Sequence, residues 1–447
     1  MLAWQVVTAG LGGYYAERLE RGDDNALTPL LTWEPSHPEA LYQEALRVLA
    51  ERVDSGSNID TDSDTDTGSD ADTVEASLAN AYRANPTDAR PLIALAGRRL
   101  RAEEPEQADA LMEIASALAP ADPRIQVQVA AYWEQRQQPE RALQHLSTAL
   151  EVRGALGKDI FPRLLQLVEQ PALRGLLRPF ALNPPAWWPR FFAYLSEKAE
   201  TIEPVRFVYN LRRQAPGAPV TRGERSDYVK RLQKDGLVGE AYLVWVNGLD
   251  DIELRQLGWL FNGSFELPLS NQAFGWILRR DPRVEVRALA TQGAVGERAL
   301  LLRLRGWKQR FAHLGQPLFL QPGTYRLSGR VRPKGLESVG GLRWQVACRL
   351  PESRTLGEST RFLGSGEWRD FAFDFEVPSD CRFQQLQLTS AGQRSFELEM
   401  TGAIWFDGMK ITRIPALDAA ARADALLRDG APAAEPVPAT APAVPLQ

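Results

Sequence analysis

The chain has 447 residues, enough for two to four domains, and its 44% hydrophobic content with 12 Trp excludes global disorder. The net charge is −5, but residues 262–414 carry 22 Lys and Arg against 15 Asp and Glu, a balance of +7 that leaves −12 elsewhere. This asymmetry indicates an anionic partner for the basic part, or chance beside one acidic insert. With 3 His and 2 Cys, the chain has too few ligands for a Cys-rich zinc site or a His metal cluster.

Residues 1–16 carry no charge and are mostly apolar or small. The run is shorter than the roughly 20 residues that a membrane-spanning helix needs, and it lacks the basic segment and cleavage site of a signal peptide. Two interpretations stay open. The run is the end of an anchor that begins upstream of Met1, or it is the first helix of the core.

A repeat of 34 residues is present in the first third of the chain, where residues 86–119 align with residues 120–153. The alignment pairs Pro86 with Pro120, Asp88 with Asp122, Ala96 with Ala130, Pro105 with Pro139 and Ala108 with Ala142. The aspartates are placed to cap or charge a helix start, the alanines allow close helix packing, and the second prolines separate two helices. This period is typical of tetratricopeptide repeats.

A third copy begins at Pro35 and Pro38, but an acidic segment over 53–73 lengthens it. The alternating aspartates of this segment fit no register of a calcium-binding EF-hand loop. We therefore predict a disordered insert between one helix over about 38–52 and a second that resumes near Val74.

Apolar residues recur at helical intervals through 153–259, and the period then becomes two. Alternation is clear in 325–331, 342–350 and 371–377, which predicts strands with one apolar and one polar face. The predicted fold is multidomain, α then β: an α-solenoid of tetratricopeptide-like helical hairpins followed by an antiparallel β-sandwich. The predicted domains are 1–152 for the repeats, 153–259 for further helical hairpins of the solenoid, 260–414 for the β-sandwich and 415–447 for an Ala- and Pro-rich tail.

The predicted sandwich opens with Phe-Asn-Gly-Ser-Phe-Glu at 261–266 and ends with Trp-Phe-Asp-Gly-Met-Lys-Ile at 405–411, with Pro-Gly-Thr-Tyr at 322–325 between them. This ordered set resembles the galactose-binding-like jelly rolls of many carbohydrate-binding modules. An apolar N-terminus, repeats and such a sandwich together are similar to bacterial proteins of extracellular polysaccharide machinery. The resemblance implies a jelly-roll sandwich, a polysaccharide ligand and a periplasmic location, with inner-membrane association through the N-terminus.

In such modules the Glu of the opening motif and the Asp of the last strand often hold a structural calcium ion. The resemblance therefore implies calcium at Glu266 and Asp407, since carboxylates and backbone carbonyls suit a hard cation. The alternative is that Glu266 forms only hydrogen bonds and that Asp407 is solvated.

Sugar binding in this family uses aromatic ring faces beside polar side chains. Trp276 and Trp307 are the aromatic candidates, and a core position is the alternative for both, whereas Trp368 is expected in the core. The polar face of the hairpin 324–350 supplies the other candidates. These are Arg326, Arg330, Arg343, Gln345 and Arg349, whose guanidinium groups suit an acidic glycan unless the face is simply solvated.

Cys348 ends one predicted strand, and Cys381 follows the turn that begins another. We expect the two to form a disulfide if the domain lies outside the cytoplasm.

The sequence contains no nucleophile elbow, P-loop, dinucleotide fingerprint or zinc-protease motif. We therefore expect a non-catalytic scaffold or binding protein of exopolysaccharide assembly or export, with protein partners on the repeats, polysaccharide on the sandwich and no nucleic acid. A pure protein-assembly scaffold and a polysaccharide-cleaving enzyme remain the alternatives, because a catalytic carboxylate pair is defined in space and not by sequence spacing.

Overall fold

The computed structural model describes residues 2–54 and 67–415. Helices come first and two antiparallel sheets follow, which confirms the predicted order of an α part and a β-sandwich. The helices are α1 (Leu2–Glu20), α2 (Leu27–Trp33), α3 (Pro38–Asp54), α4 (Thr67–Ala84), α5 (Arg90–Arg101), α6 (Pro105–Leu118), α7 (Pro123–Gln135), α8 (Pro139–Val152), α9 (Gly157–Glu169), α10 (Arg178–Leu182), α11 (Trp188–Lys198), α12 (Ile202–Arg213), α13 (Arg222–Lys234), α14 (Val238–Val246) and α15 (Asp251–Leu254).

The strands are β1 (Ile277–Leu278), β2 (Val284–Ala290), β3 (Arg298–Trp307), β4 (Leu314–Leu318), β5 (Gly323–Glu337), β6 (Leu342–Leu350), β7 (Arg354–Glu358), β8 (Arg369–Val377), β9 (Phe383–Ser390) and β10 (Met400–Arg413). They form two five-stranded sheets. The first sheet has the order β1-β4-β9-β6-β7 and the second has the order β2-β3-β10-β5-β8.

The chain divides into two compact units, the first ending at Val220 and the second beginning at Thr221. In the first unit, α5 to α8 occupy the two aligned repeats, and each has a proline in its first turn. Asp122 is the N-cap of α7 and accepts a 2.8 Å hydrogen bond from the backbone N–H of Arg124, as predicted. Asp88 lies one residue before the N-cap of α5 and accepts a 3.0 Å hydrogen bond from the backbone N–H of Arg90. The alanines matched between the repeats are buried, so these helices pack closely.

The acidic insert is shorter than predicted at both ends. Helix α3 continues to Asp54 and α4 begins at Thr67, seven residues before the expected restart. Residues 67–73 therefore belong to a helix. The rest of the insert, 55–66, and the tail, 416–447, lie outside the described residues. Over the described part of the chain, no helix combines the length and the apolar character that crossing a membrane requires.

The sandwich core lies between the two sheets and is rich in aromatic side chains, including Trp276, Trp344 and Phe406. Trp344 contacts the other two rings at centroid distances of 5.7 and 5.2 Å. A disulfide joins Cys348 near the end of β6 to Cys381 just before β9, with the two Cα atoms 5.8 Å apart. The bridge therefore ties together two neighbouring strands of the first sheet.

Helix α14 packs on the sandwich through aromatic rings. The ring of Trp245 lies 5.2 Å from Phe261 and 5.6 Å from Phe274, and the ring of Tyr242 lies 5.3 Å from Phe319. The compact unit consequently begins at Thr221, whereas the sequence placed the boundary between 259 and 260. The helical period of this segment says nothing about which neighbour its aromatic residues contact.

Candidate functional site

The two tryptophans expected to stack on a sugar are core residues. Trp276 and Trp307 are each 1% exposed. The indole N–H of Trp276 donates a 3.0 Å hydrogen bond to the carbonyl of Asn262, and Trp307 lies 4.6 Å from the ring of His313. Neither ring offers a face to solvent, so the stacking expectation does not hold for them. Inward and outward aromatic residues look alike in a sequence whose strand register is unknown.

The predicted polar face of the hairpin 324–350 is divided between two surfaces. Strands β5 and β6 follow each other in the chain but belong to different sheets, so their outward side chains lie on opposite sides of the sandwich. The connection at 338–341 crosses from one sheet to the other instead of forming a hairpin turn. Arg326 and Arg330 are therefore separated from Arg343, Gln345 and Arg349.

The outer side of the first sheet carries a continuous set of polar side chains, which we call the polar face. Its members are Arg343, Gln345 and Arg349 of β6, Glu358 of β7, and Gln385 and Gln387 of β9. Strand pairing places Gln345 directly between Gln387 and Glu358. The small residues Gly315 and Ala347 supply the neighbouring positions, and both are buried, Gly315 beside the amide of Gln385.

Arg349 organises one half of the polar face. Its Nε donates a 2.8 Å hydrogen bond to Oε1 of Gln385, and its Nη2 donates one of 3.1 Å to Oε1 of Gln387. Its Nη1 donates to the hydroxyl of Ser353 at 3.2 Å. One guanidinium thus holds two amides by their oxygens. The NH₂ group of Gln387 also donates a 3.1 Å hydrogen bond to the carbonyl of Ala312, which leaves it one N–H for a ligand.

Glu358 organises the other half. It forms an ion pair with Arg343 and accepts a 2.7 Å hydrogen bond from the amide nitrogen of Gln345. The same nitrogen donates to the hydroxyl of Thr355 at 3.0 Å, so the amide oxygen of Gln345 is left to accept from a ligand. The two halves together offer donors and acceptors side by side on a half-buried surface, which suits hydroxyl groups.

Sequence reasoning identified Arg343, Gln345 and Arg349 but not the residues that hold them. Gln385 and Gln387 alternate with buried Leu386 and Leu388, so the period-two signal was present in β9. The missing information was which strands are neighbours in the sheet.

The outer side of the second sheet is dominated by arginine. Arg326 binds both carboxylate oxygens of Asp374, at 2.6 and 2.9 Å, and these hydrogen bonds lower the pKa of Asp374. Arg330 donates a 3.1 Å hydrogen bond to the carbonyl of Gly293 and lies 5.3 Å from the ring centre of Trp368. Trp368 was expected in the core, but it is only partly buried and lies under arginine side chains of β5.

The carboxylates of Glu266 and Asp407 converge on the turn that precedes β3. Oε1 of Glu266 accepts hydrogen bonds of 3.1 and 3.2 Å from the backbone N–H groups of Glu297 and Arg298. Asp407 is fully buried and accepts backbone hydrogen bonds from Val295 and Gly408. Asp407 is therefore not solvated, which excludes that alternative for it.

Burial raises the pKa of Asp407, and the nearby charge of Glu266 adds to the rise, while the two backbone hydrogen bonds and Arg330 oppose it. Two converging carboxylates, of which the buried Asp407 has a raised pKa, fit a hard cation, because a positive charge would offset both the burial of Asp407 and the repulsion between them. In the described part of the chain no group of three or more His, Cys, Asp or Glu surrounds a common point, so further ligands there would be backbone carbonyls or water.

No family model and no curated protein matches the sequence. Solved structures similar to the sandwich include carbohydrate-binding modules, and some are chains of glycoside hydrolases. A CBM4 module is 14% identical with a TM-score of 0.26, and the match covers 35% of this chain and 99% of that one. TmCBM61 in complex with β-1,4-galactotriose is 18% identical with a TM-score of 0.26, covering 35% and 99%. The CBM22-1 xylan-binding domain from Paenibacillus barcinonensis Xyn10C is 17% identical with a TM-score of 0.25, covering 35% and 94%.

Proposed function

We propose that this protein is a non-catalytic polysaccharide-binding protein and that the polar face of the first sheet is its sugar site. The observation that carries the proposal is the pair of amides, Gln385 and Gln387, that Arg349 holds in place. Hydroxyl groups of a sugar each donate and accept one hydrogen bond, and a row of fixed amides matches them without rearrangement.

The test is binding of neutral oligosaccharides to the full chain, first on a glycan array and then by calorimetry. Gln387→Ala should weaken binding by about tenfold, the worth of one or two ligand hydrogen bonds at about 1 kcal/mol each. Gln393→Ala, an exposed glutamine in the loop before β10, is the matched control. Equal affinities for the two variants would contradict the polar face as the site, and release of shorter sugars would contradict a non-catalytic role.

We further propose that Glu266 and Asp407 hold a structural calcium ion. The ion would supply no chemistry toward a ligand. It would fix the turn at 292–297 against the start of the sandwich and against β10, where Asp407 already accepts two backbone hydrogen bonds.

The wider setting is also a proposal. We propose tetratricopeptide-like repeats that bind a protein partner, a periplasmic location with inner-membrane association through the N-terminus, and a role in exopolysaccharide assembly or export. The matched repeats at a period of 34 residues and the disulfide in the sandwich support these points. Fractionation of cells and cross-linking of the full chain to its neighbours test them, and a cytoplasmic location would contradict the setting.

The alternative of a pure assembly scaffold predicts that no glycan binds to the sandwich. Glu358 is the carboxylate of the polar face, and its ion pair with Arg343 suits a structural role better than that of a proton donor. This contact favours binding over the alternative of a polysaccharide-cleaving enzyme.

A further inference from the structure

An open groove of about 740 Å³ lies on the outer side of the second sheet. The function proposed for the polar face gives this groove no role. Its centre is Ser328 on β5, and strand pairing places Ala372 of β8 on one side of it and Lys410 of β10 on the other. Arg326 and Arg330 lie two positions before and after Ser328, so each is about 7 Å from it along the strand and on the same face. Three cations therefore surround a centre of small residues.

A bulge in β10 creates this groove. The pairing of β10 with β5 shifts register between Asp407 and Lys410, and Gly408 within the bulge has a φ of 55°. The backbone N–H of Met409 bonds the carbonyl of Gly263 at 2.9 Å, and a side chain at Gly263 would lie 1.9 Å from the carbonyl oxygen of Met409. The close backbone approach between the opening motif and β10 therefore requires glycine at 263, and the bulge requires the positive φ of Gly408. Bulges commonly change the direction of side chains at binding sites.

The cations of the groove differ in how far their charge is already neutralised. Arg326 is held in a two-point ion pair by Asp374. Arg330 has Asp370 as its nearest carboxylate partner, at 3.9 Å, and the side chain of Asp370 is 90% exposed. Lys410 is exposed and forms no ion pair within the described residues. Arg330 and Lys410 are therefore available to an anionic ligand.

Arg330 is also held in place before any ligand arrives. The carbonyl of Gly293 accepts a 3.1 Å hydrogen bond from its Nη1, and the ring of Trp368 lies 5.3 Å from its guanidinium. The indole N–H of Trp368 in turn bonds the carbonyl of Gln292 at 3.2 Å, so ring and loop support each other. A guanidinium fixed in this way loses little conformational freedom on binding a carboxylate.

We propose that this groove binds the carboxylate of an acidic sugar residue, with Arg330 and Lys410 on the carboxylate and Ser328 on a neighbouring hydroxyl. The inference rests on the proposed function only in taking a polysaccharide as the ligand. The volume lies within the range of small-molecule sites and accommodates a short oligosaccharide. Because the groove and the polar face lie on opposite sides of the sandwich, one chain holds two segments of an acidic polysaccharide at once.

The experiment is calorimetric titration of the full chain with an oligogalacturonate, and with a neutral cello-oligosaccharide in parallel. Replacing both Arg330→Gln and Lys410→Gln should weaken oligogalacturonate binding at least tenfold and leave binding of the neutral sugar unchanged. Lys334→Gln, which removes an exposed lysine of β5 outside the groove, is the control. Ser328→Leu fills the centre without changing any charge and should cause the same loss.

The outcomes separate this inference from the function proposed above. Suppose that Gln387→Ala has no effect on the binding of either sugar, while the groove variants still weaken oligogalacturonate binding. The groove is then supported as a binding site, and the polar face is contradicted. If Lys410→Gln and Ser328→Leu both bind as well as Lys334→Gln, the groove is not the site and the inference is overturned. Displacement of the sugar by inorganic sulfate or phosphate at equal concentration would also overturn it, in favour of a simple anion site.

Discussion

The two outer faces of the sandwich have the same alternation of buried apolar and outward polar residues, but they hold their charged groups in different ways. On the polar face, Arg349 is engaged by two glutamines and Arg343 by Glu358. In the groove, Arg330 is held by a carbonyl and an indole ring, and its ion pair with the exposed Asp370 is long, at 3.9 Å, so its charge is only weakly offset. The comparison teaches that an arginine's partners decide whether it supports other groups or binds an anion itself.

The largest expected effect concerns the disulfide, which belongs to the first sheet alone. Replacing Cys348 and Cys381 together by serine should lower the free energy of unfolding by about 3–4 kcal/mol, because the bridge closes a loop spanning a sequence separation of 33. Denaturant unfolding of the full chain measures the change. A reducing agent should lower the stability of the wild-type chain and not that of the variant. The comparison of faces would break down if oligogalacturonate binding at the groove fell as much as neutral-sugar binding at the polar face.

The second largest effect is expected from removing the guanidinium of Arg349, which holds the two amides of the polar face. Arg349→Ala frees Gln385 and Gln387 to adopt other rotamers, so we expect neutral-sugar binding to weaken by about 2 kcal/mol. Arg310→Ala, an exposed arginine in the loop after β3, provides the control. If Arg349→Ala weakened neutral-sugar binding no more than Arg310→Ala does, the two amides would not need Arg349 to hold them in place.

Ionic strength should have a smaller effect, and it should differ between the two faces. Oligogalacturonate binding to the groove should weaken by about tenfold between low and high ionic strength, because exposed charge pairs are screened over about 8 Å at physiological salt. Neutral-sugar binding at the polar face should change little, since an uncharged sugar forms no ion pair that salt could screen. Parallel loss of both activities would show that the faces do not differ as their contacts imply.

The smallest expected effect concerns calcium at Glu266 and Asp407. The raised pKa of Asp407 means that the folded chain binds this proton more tightly than the unfolded chain. Without calcium, this group's contribution to stability should therefore rise as the pH falls through that pKa and be lost as the pH rises. Calcium requires the carboxylate, so the stabilisation that calcium adds, about 1 kcal/mol at several times its dissociation constant, should shrink as the pH falls.

Melting temperatures of the full chain, with calcium and with a chelator at each pH, measure this difference. Glu266→Ala should lower the melting temperature more in calcium than in chelator, because it removes a calcium ligand as well as an acceptor of two backbone hydrogen bonds. Glu376→Ala, which removes an exposed glutamate of β8, should show no such calcium dependence. A chain whose stability ignores the chelator would contradict the calcium proposal.

The period-two pattern located individual strands well. The alternation at 342–350 coincides with β6, and that at 371–377 lies within β8. Such a pattern depends only on one face being buried, and that is a local property of the chain. Sheet membership depends on which strands pair over long distances, so the division of Arg326 and Arg330 from Arg343 could not be read from the sequence.

The outcome for the aromatic residues has a similar cause. Trp276 precedes the two-residue strand β1, and Trp307 is the last residue of β3. The sequence leaves the register undefined at both positions, and both proved to be core residues. Trp368, expected in the core, lies in a loop and faces arginines. The cation–π contacts between Trp368 and the arginines form only on the folded surface, so no residue spacing in the sequence predicts them.

The aromatic contact between α14 and the sandwich determines which piece of the chain can be transplanted as a working part. A graft that begins at 260 would leave Phe261 and Phe274 without Trp245, and the uncovered rings would favour aggregation. A graft that begins at Thr221 takes the covering helices with it. A fusion of the sandwich to an unrelated protein should therefore include the helical hairpin of α13 and α14.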